Sequence, residues 1–167
     1  MTELTGADAL TRAKELVEDI DFTMLTTVDA DGRLVSRPMS TRRMDEHGDI
    51  WFFTSDDTEK VDEIVENRDV GLAYCDAKGM RYVSVAGTAT VVHDDALMAE
   101  LYTPSLDVWF EDGLDTPGVA LLKVTPQVTE FWAPGKGRIA MAAGMLKALV
   151  TRDTPDDDIV EHARIVC

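Results

Sequence analysis

The stretch Ser36-Arg37-Pro38-Met39-Ser40-Thr41-Arg42-Arg43-Met44, followed by Asp45-Glu46-His47-Gly48-Asp49 and by Ile50-Trp51-Phe52-Phe53-Thr54-Ser55-Asp56-Asp57-Thr58-Glu59-Lys60, decides the fold. It reads as strand, turn, strand and helix start. The first strand carries Arg37, Arg42 and Arg43, three cations in a chain with 16 basic and 32 acidic residues. Residues 50–53 are a dense apolar and aromatic run with the length of a buried strand. The run breaks at Thr54-Ser55, and Thr58 stands ahead of Val61, Ile64 and Val65 at helical spacing. Two readings of this junction stand side by side. In one, backbone N–H groups, hydroxyls and the Lys60 ammonium converge on a phosphate at the helix start. In the other, Asp57 or Thr58 caps a surface helix and Lys60 is solvated. Pro38 has no N–H to give, so it marks an edge, a bulge or a place where a ligand replaces a strand partner.

Upstream, Leu10, Ala13, Leu16 or Val17, and Ile20 recur at helical spacing. This predicts an amphipathic helix over residues 7–20, starting near Thr5 or Asp8 and covering an open end or face of a sheet. Residues 22–28 are rich in β-branched side chains and form a strand, and the turn Asp29-Ala30-Asp31-Gly32 returns it into residues 33–44.

Downstream, a helix over residues 58–67 turns Glu59, Glu63 and Glu66 outward and Val61, Ile64 and Val65 inward. Strands over 70–75 and 81–92 flank the turn Asp76-Ala77-Lys78-Gly79. Gly87, in the middle of the longer one, marks a bulge or the close approach of another backbone or ligand. Asp94-Asp95 caps a helix over 96–102 that Pro104 ends, and Val108-Trp109-Phe110 opens an apolar patch before a loop over 111–118. Strands are expected over 119–125 and 127–132, a break at 134–137, a short helix over 139–150 and a loosely held tail from Thr151. About six strands joined by hairpin turns, with a few short helices, make one mainly β domain over 1–167, a small antiparallel barrel decorated by helices.

The net charge of −16 excludes a general nucleic-acid binder and a binder of anionic membranes, because the long-range field repels both. The acids are spread along the chain and arginine outnumbers lysine, as on a highly solvated surface; a salt-rich cytoplasm would be one reason. No run approaches the roughly twenty apolar residues of a membrane helix. The first residues lack a basic segment followed by an apolar core, so a cytoplasmic location is expected. Cys75 reads as a buried thiol and Cys167 as a mobile end, while His47, His93 and His162 are scattered; no metal site is expected.

Taken together, Ser36-Arg37-Pro38-Met39, Trp51-Phe52-Phe53-Thr54 and Thr58-Glu59-Lys60 resemble, in order and spacing, the flavin-binding core of the pyridoxamine 5′-phosphate oxidase-like split barrels, and most of all their general stress protein branch. The resemblance runs from about Leu16 to Trp132, most of the chain. It implies a six-stranded antiparallel Greek-key split barrel that binds FMN, with FAD or the deazaflavin F420 as alternatives, at the interface of a homodimer. It implicates Arg37, Pro38, Met39 and Ser40, partly through backbone groups, in contacts to the phosphate-ribityl part and the ring edge. By the same resemblance Arg42 falls near the ring, Phe53 and Thr54 beside ring and ribityl chain, and Lys60 with Thr58 on the phosphate. Tyr82, Gly87, Trp109 and Trp132 are the candidates for a wall supplied by the second subunit.

The chain also departs from the true oxidases. Phe131-Trp132 and Arg138 resemble their C-terminal aromatic and arginine segment, but Ile139, Ala140, Met141 and Ala142 stand where those enzymes continue with a histidine and a second arginine. Tyr82 stands in place of a glutamine that contacts phosphate. No catalytic residue is assigned. The expectation is a flavin-binding general stress-type protein acting as a flavin-dependent oxidoreductase. The alternatives are a non-catalytic flavin store or sensor, an F420-dependent reductase and, ranked lowest with it, a true pyridoxamine 5′-phosphate oxidase.

Overall fold

The computed structural model describes residues 2–3, 6–135 and 160–166. Thr5, Arg138, the expected helix over 139–150 and Cys167 lie outside them. Six strands close on themselves: β2 (Phe22–Val28), β3 (Leu34–Met44), β4 (Ile50–Ser55), β5 (Asp69–Asp76), β6 (Arg81–Val92) and β7 (Val119–Pro134). All pair antiparallel, in the cycle β2–β3–β4–β7–β6–β5 and back to β2. This is the expected six-stranded barrel.

Its interior follows from period-two alternation. Leu25, Phe52, Leu72, Tyr74, Val83, Val85, Leu122 and Phe131 all point inward and are buried. Each such side chain contributes about 1.5–3 kcal/mol relative to exposure. Helix α1 (Gly6–Asp19) turns Ala9, Ala13, Leu16 and Val17 onto the barrel and lies against β3 and β6. It covers a face of the sheet, as its spacing predicts.

The first two hairpins are held by aspartates. Asp29 Oδ1 accepts from the backbone N–H of Asp31 at 2.9 Å and of Arg33 at 2.8 Å. Asp45 Oδ1 accepts from His47 and Asp49 N–H at 2.9 and 3.0 Å, and its Oδ2 takes the Trp51 indole N–H at 2.8 Å.

Four expectations are corrected. The strands expected over 119–125 and 127–132 are one, β7, because Pro126 sits at a register shift rather than ending the strand. There Gly87 lies opposite Pro126, and a Cβ on Gly87 would come within 2.3 Å of the Thr125 carbonyl oxygen. The close approach inferred from Gly87 is therefore that of β7. Second, residues 160–166 are no loose tail: β8 (Val160–Val166) pairs with the second half of β7 and, in parallel, with β1 (Thr2–Glu3). Third, Cys75 is exposed, since the alternation that buries Leu72 and Tyr74 turns it outward. Fourth, α2 (Glu59–Glu66) buries Val61 and Ile64 but leaves Val65 74% exposed, and it turns Glu63 inward. The fold gives Glu63 a partner that a helical projection cannot show.

Asp94 accepts from Leu97 N–H at 3.0 Å and starts α3 (Asp95–Leu101), after which Pro104–Leu106 forms a single 3₁₀ turn. With Phe53, Leu101, Leu106 and Phe110, this segment builds a second core on the outside of β4.

Candidate functional site

The decisive stretch places the site through a break in strand pairing. Along residues 34–40, β3 is paired with β2, but pairing with β4 begins only at Thr41. A register shift between Thr41 and Arg43 makes Arg42 the extra residue of a bulge. Upstream of it the far side of β3 has no strand partner among the described residues. Pro38 stands on this open edge, where its missing N–H breaks no ladder.

The edge is bordered by the start of α2. Thr58 is the residue before the helix, yet its side chain makes no capping bond. Its hydroxyl donates to the Ser55 carbonyl at 2.8 Å and accepts from Lys60 Nζ at 3.0 Å. The capping reading of Thr58 therefore fails, and the first-turn N–H groups have no side-chain cap. Burial, and next the nearby Arg37 guanidinium, hold the Lys60 ammonium below the ordinary lysine range.

Arg37 faces the interior side of β3. Its guanidinium is ion-paired with Glu63 Oε2 at 2.8 Å and donates to the Thr27 hydroxyl, which donates to the same carboxylate at 2.5 Å. Arg42 points the other way, and one of its terminal nitrogens donates to Thr103 Oγ1 at 2.7 Å. Its Nε is buried with no hydrogen-bond partner among the described residues.

These cations stand out against the rest of the chain. Among the described residues, Arg12, Arg37, Arg43, Arg81 and Lys123 are partly buried and each is bridged by a carboxylate. Lys60 and Arg42 are also partly buried, but no described carboxylate bridges either one. With 32 acids to 16 bases in the chain, partners are not scarce. Asp57 and Glu63 reach Lys60 only at longer range, and a charge withdrawn from water without a bridging partner is costly.

Other expected residues are placed differently. Met39 belongs to the barrel core. Ser40 is half-buried on the outward face of β3. Phe53 lies in the second core, edge-on to Tyr102 at 5.7 Å and to Phe110 at 6.1 Å. Thr54 is buried, its hydroxyl directed to the Ser55 carbonyl at 3.4 Å.

Tyr82 and Trp132 are cross-strand neighbours on the outer face, and Trp132 stacks at 5.5 Å on His162. Gly87 lies further along β6 against β7, and Trp109, 73% exposed, follows the 3₁₀ turn. The chain does not gather these four around the open edge of its own β3.

Glu63, Thr27 and Thr103 contact the site cations but escaped the sequence reading. The helical spacing of Glu63 from Lys60 was a signal for a shared neighbourhood, but its pairing with Arg37 spans 26 positions and is purely tertiary. Beside Arg37 opens a cavity of about 430 Å³ whose other walls carry Asp29, Asp31, Glu59, Asp62, Glu63 and Glu66. Those carboxylates disfavour an anion there and leave the Lys60 side of the edge as the anionic end. No group of side chains suited to a metal ion occurs among the described residues, and none of their helices is long and apolar enough to cross a membrane.

A closed six-stranded antiparallel barrel with one strand edge left open defines a split barrel. The family model described as pyridoxamine 5′-phosphate oxidase like matches residues 8–156, and the chain belongs to that family. It is 36% identical to general stress protein 26 of Bacillus subtilis over 81 residues, 47% of this chain and 57% of that protein. It is 26% identical to protein bli-3 of Neurospora crassa over 140 residues, 78% of this chain and 67% of that protein. The crystal structure of a protein described as a general stress protein 26, from Jannaschia sp. CCS1, superposes with a TM-score of 0.80 at 28% identity, covering 97% of this chain and all of that one. A general stress FMN/FAD binding protein from Xanthomonas citri superposes with a TM-score of 0.62 at 26% identity, over 74% of this chain and 87% of that one.

Proposed function

We propose that this chain is a homodimeric flavin-binding protein, taking FMN at the open edge of β3 and acting as a flavin-dependent oxidoreductase. The observation that carries the reading is the pair of half-buried cations, Lys60 and Arg42, that flank that edge with no described carboxylate in bridging contact. The residues fit the group: an anion at Lys60 restores the charge balance that burial upsets, and the orphaned Arg42 Nε has a donor to offer. Lys60, the Thr58 hydroxyl and the first-turn N–H groups of α2 would hold the phosphate. Backbone groups of residues 36–40 would meet the ribityl chain and ring edge. The flavin supplies reversible electron uptake when bound, and a fixed cation at Arg42 favours negative charge beside it. The names of the relatives support FMN first and FAD second.

The outer sheet face supports the dimer. Pairing aligns Pro38, Met24, Ala73 and Ser84 in one row across β3, β2, β5 and β6. Neighbouring rows carry Ser40 and Phe22, Cys75 and Tyr82, then Ser36, Thr26, Gly71 and Ala86. No charged residue stands among these positions, in a chain of net charge −16. Two such chains repel everywhere except where uncharged faces meet. A second copy seated here borders the open edge at Pro38 and could bring Tyr82, Trp109 or Trp132 to it.

The test is the visible absorption spectrum of purified protein before and after addition of FMN, FAD and F420 separately, with mass by light scattering. FMN saturating near one per subunit of a dimer is the expected result; a protein that binds none of the three refutes the reading. A second reading, a flavin store or sensor without turnover, is favoured by the absence of histidine and cysteine from residues 34–42 and 55–63, which border the edge. Rapid bleaching of bound flavin by NAD(P)H selects the oxidoreductase; its absence with all reductants selects the store.

A further inference from the structure

The most conspicuous cation of the sequence, Arg37, is not an open charge. Glu63 Oε2 accepts both from its guanidinium at 2.8 Å and from the Thr27 hydroxyl at 2.5 Å. The pair is largely withdrawn from water, with 25% of the Arg37 side chain and 13% of the Glu63 side chain exposed, and Thr27 is fully buried. The three groups tie β3, α2 and β2 together at one point. Glu63 also lies three residues beyond Lys60, so both project from neighbouring turns of the same helix. An anion at the start of α2 therefore meets two cations and a carboxylate.

We propose that Glu63 is a specificity-determining residue of the flavin site, acting through Arg37. It neutralises Arg37, leaves Lys60 as the working charge for the phosphate and restrains the preference for phosphorylated over unphosphorylated flavin. This rests on the flavin reading above. The physical reason is that a carboxylate paired with Arg37 cancels the attraction that guanidinium would exert on a phosphate, whereas neutral riboflavin has no charge there to attract. A merely structural role for Glu63 predicts something else, since loosening the β3–α2 junction weakens both ligands alike.

The experiment titrates FMN and riboflavin into the full-length wild type, E63Q and E66Q at one fixed salt concentration, following flavin fluorescence quenching. Glu63→Gln keeps the side-chain volume and an acceptor for Thr27 and Arg37 but removes the negative charge. It is expected to tighten FMN by about tenfold and to change riboflavin by less than about twofold. Glu66→Gln removes an exposed acid of the same helix that does not bond Arg37, and is expected to change neither ligand by more than about twofold.

If wild type binds FMN and E63Q leaves the FMN-to-riboflavin ratio unchanged, the role of Glu63 is refuted while the flavin site stands. An equal gain in E63Q and E66Q assigns the effect to overall charge and also overturns the inference. A wild type that binds neither ligand overturns the flavin reading and this inference with it. Should E63Q fail to fold, R37Q decides. It unmasks the Glu63 charge and is expected to weaken FMN by about tenfold while changing riboflavin by less than about twofold; an unchanged FMN-to-riboflavin ratio refutes the proposal.

Discussion

Replacing Lys60 with methionine probes the site most directly. The side chain keeps its apolar stem and loses its ammonium, whose one hydrogen bond among the described residues goes to Thr58 Oγ1 at 3.0 Å. A charge-assisted bond to phosphate in a half-buried site is worth about 1.5–3 kcal/mol, so K60M is expected to weaken FMN by about 10- to 100-fold. Riboflavin, with no phosphate, is expected to change by less than about threefold. The pH dependence follows from the lowered pKa of Lys60. A depressed base means that the unfolded chain holds more protons, so the cost of burying the charge is full below the folded pKa and is relieved as pH rises towards 10.5. Phosphate binding needs the charged form. FMN affinity is therefore expected to fall as pH rises through the lowered pKa in wild type and to stay flat in K60M. The assay is flavin fluorescence quenching across alkaline pH, with thermal melting of the ligand-free protein alongside. Equal losses for FMN and riboflavin, or an unchanged pH profile in K60M, would remove Lys60 from the phosphate end.

Gly87→Ala drives a methyl group to within 2.3 Å of the Thr125 carbonyl oxygen and should cost about 1–3 kcal/mol, read as a drop in melting temperature; an unchanged melt would contradict the packing of β6 on β7. Phe53→Ala empties the second core and should cost about 3–5 kcal/mol in urea unfolding, a loss too large for a ring that merely lined an open pocket. Ala73→Glu sets one charge per chain in the middle of the uncharged outer face. Light scattering should show the dimer giving way to monomer, and an unaffected dimer would place the interface elsewhere.

The sequence by itself determined the elements whose causes are local. The Asp29 and Asp45 turns lie between alternating strands, and each aspartate satisfies N–H groups within four residues of itself. The apolar stripe Ala13, Leu16 and Val17 needs only the helical period to be recognised, although Ala9 rather than Leu10 is the buried residue of the first turns. The order and spacing of the pieces around Arg37, Phe53 and Lys60 were enough for the family. Pro126 misled because a proline read alone ends a strand, whereas opposite Gly87 it sits in a register shift that needs no N–H there.

Tertiary structure alone decided which charges are free. Lys60, Arg37 and Arg42 look alike along the chain, but Glu63 arrives from α2 to pair with Arg37, and no described carboxylate bridges the other two. Likewise the stretch from Thr151, with Pro155 and three consecutive aspartates, reads as a loosely held tail, yet β8 beyond it becomes a strand because the second half of β7 leaves an edge beyond β4. Electrostatic compensation and edge pairing depend on distances between residues far apart in the chain, and no local pattern encodes them.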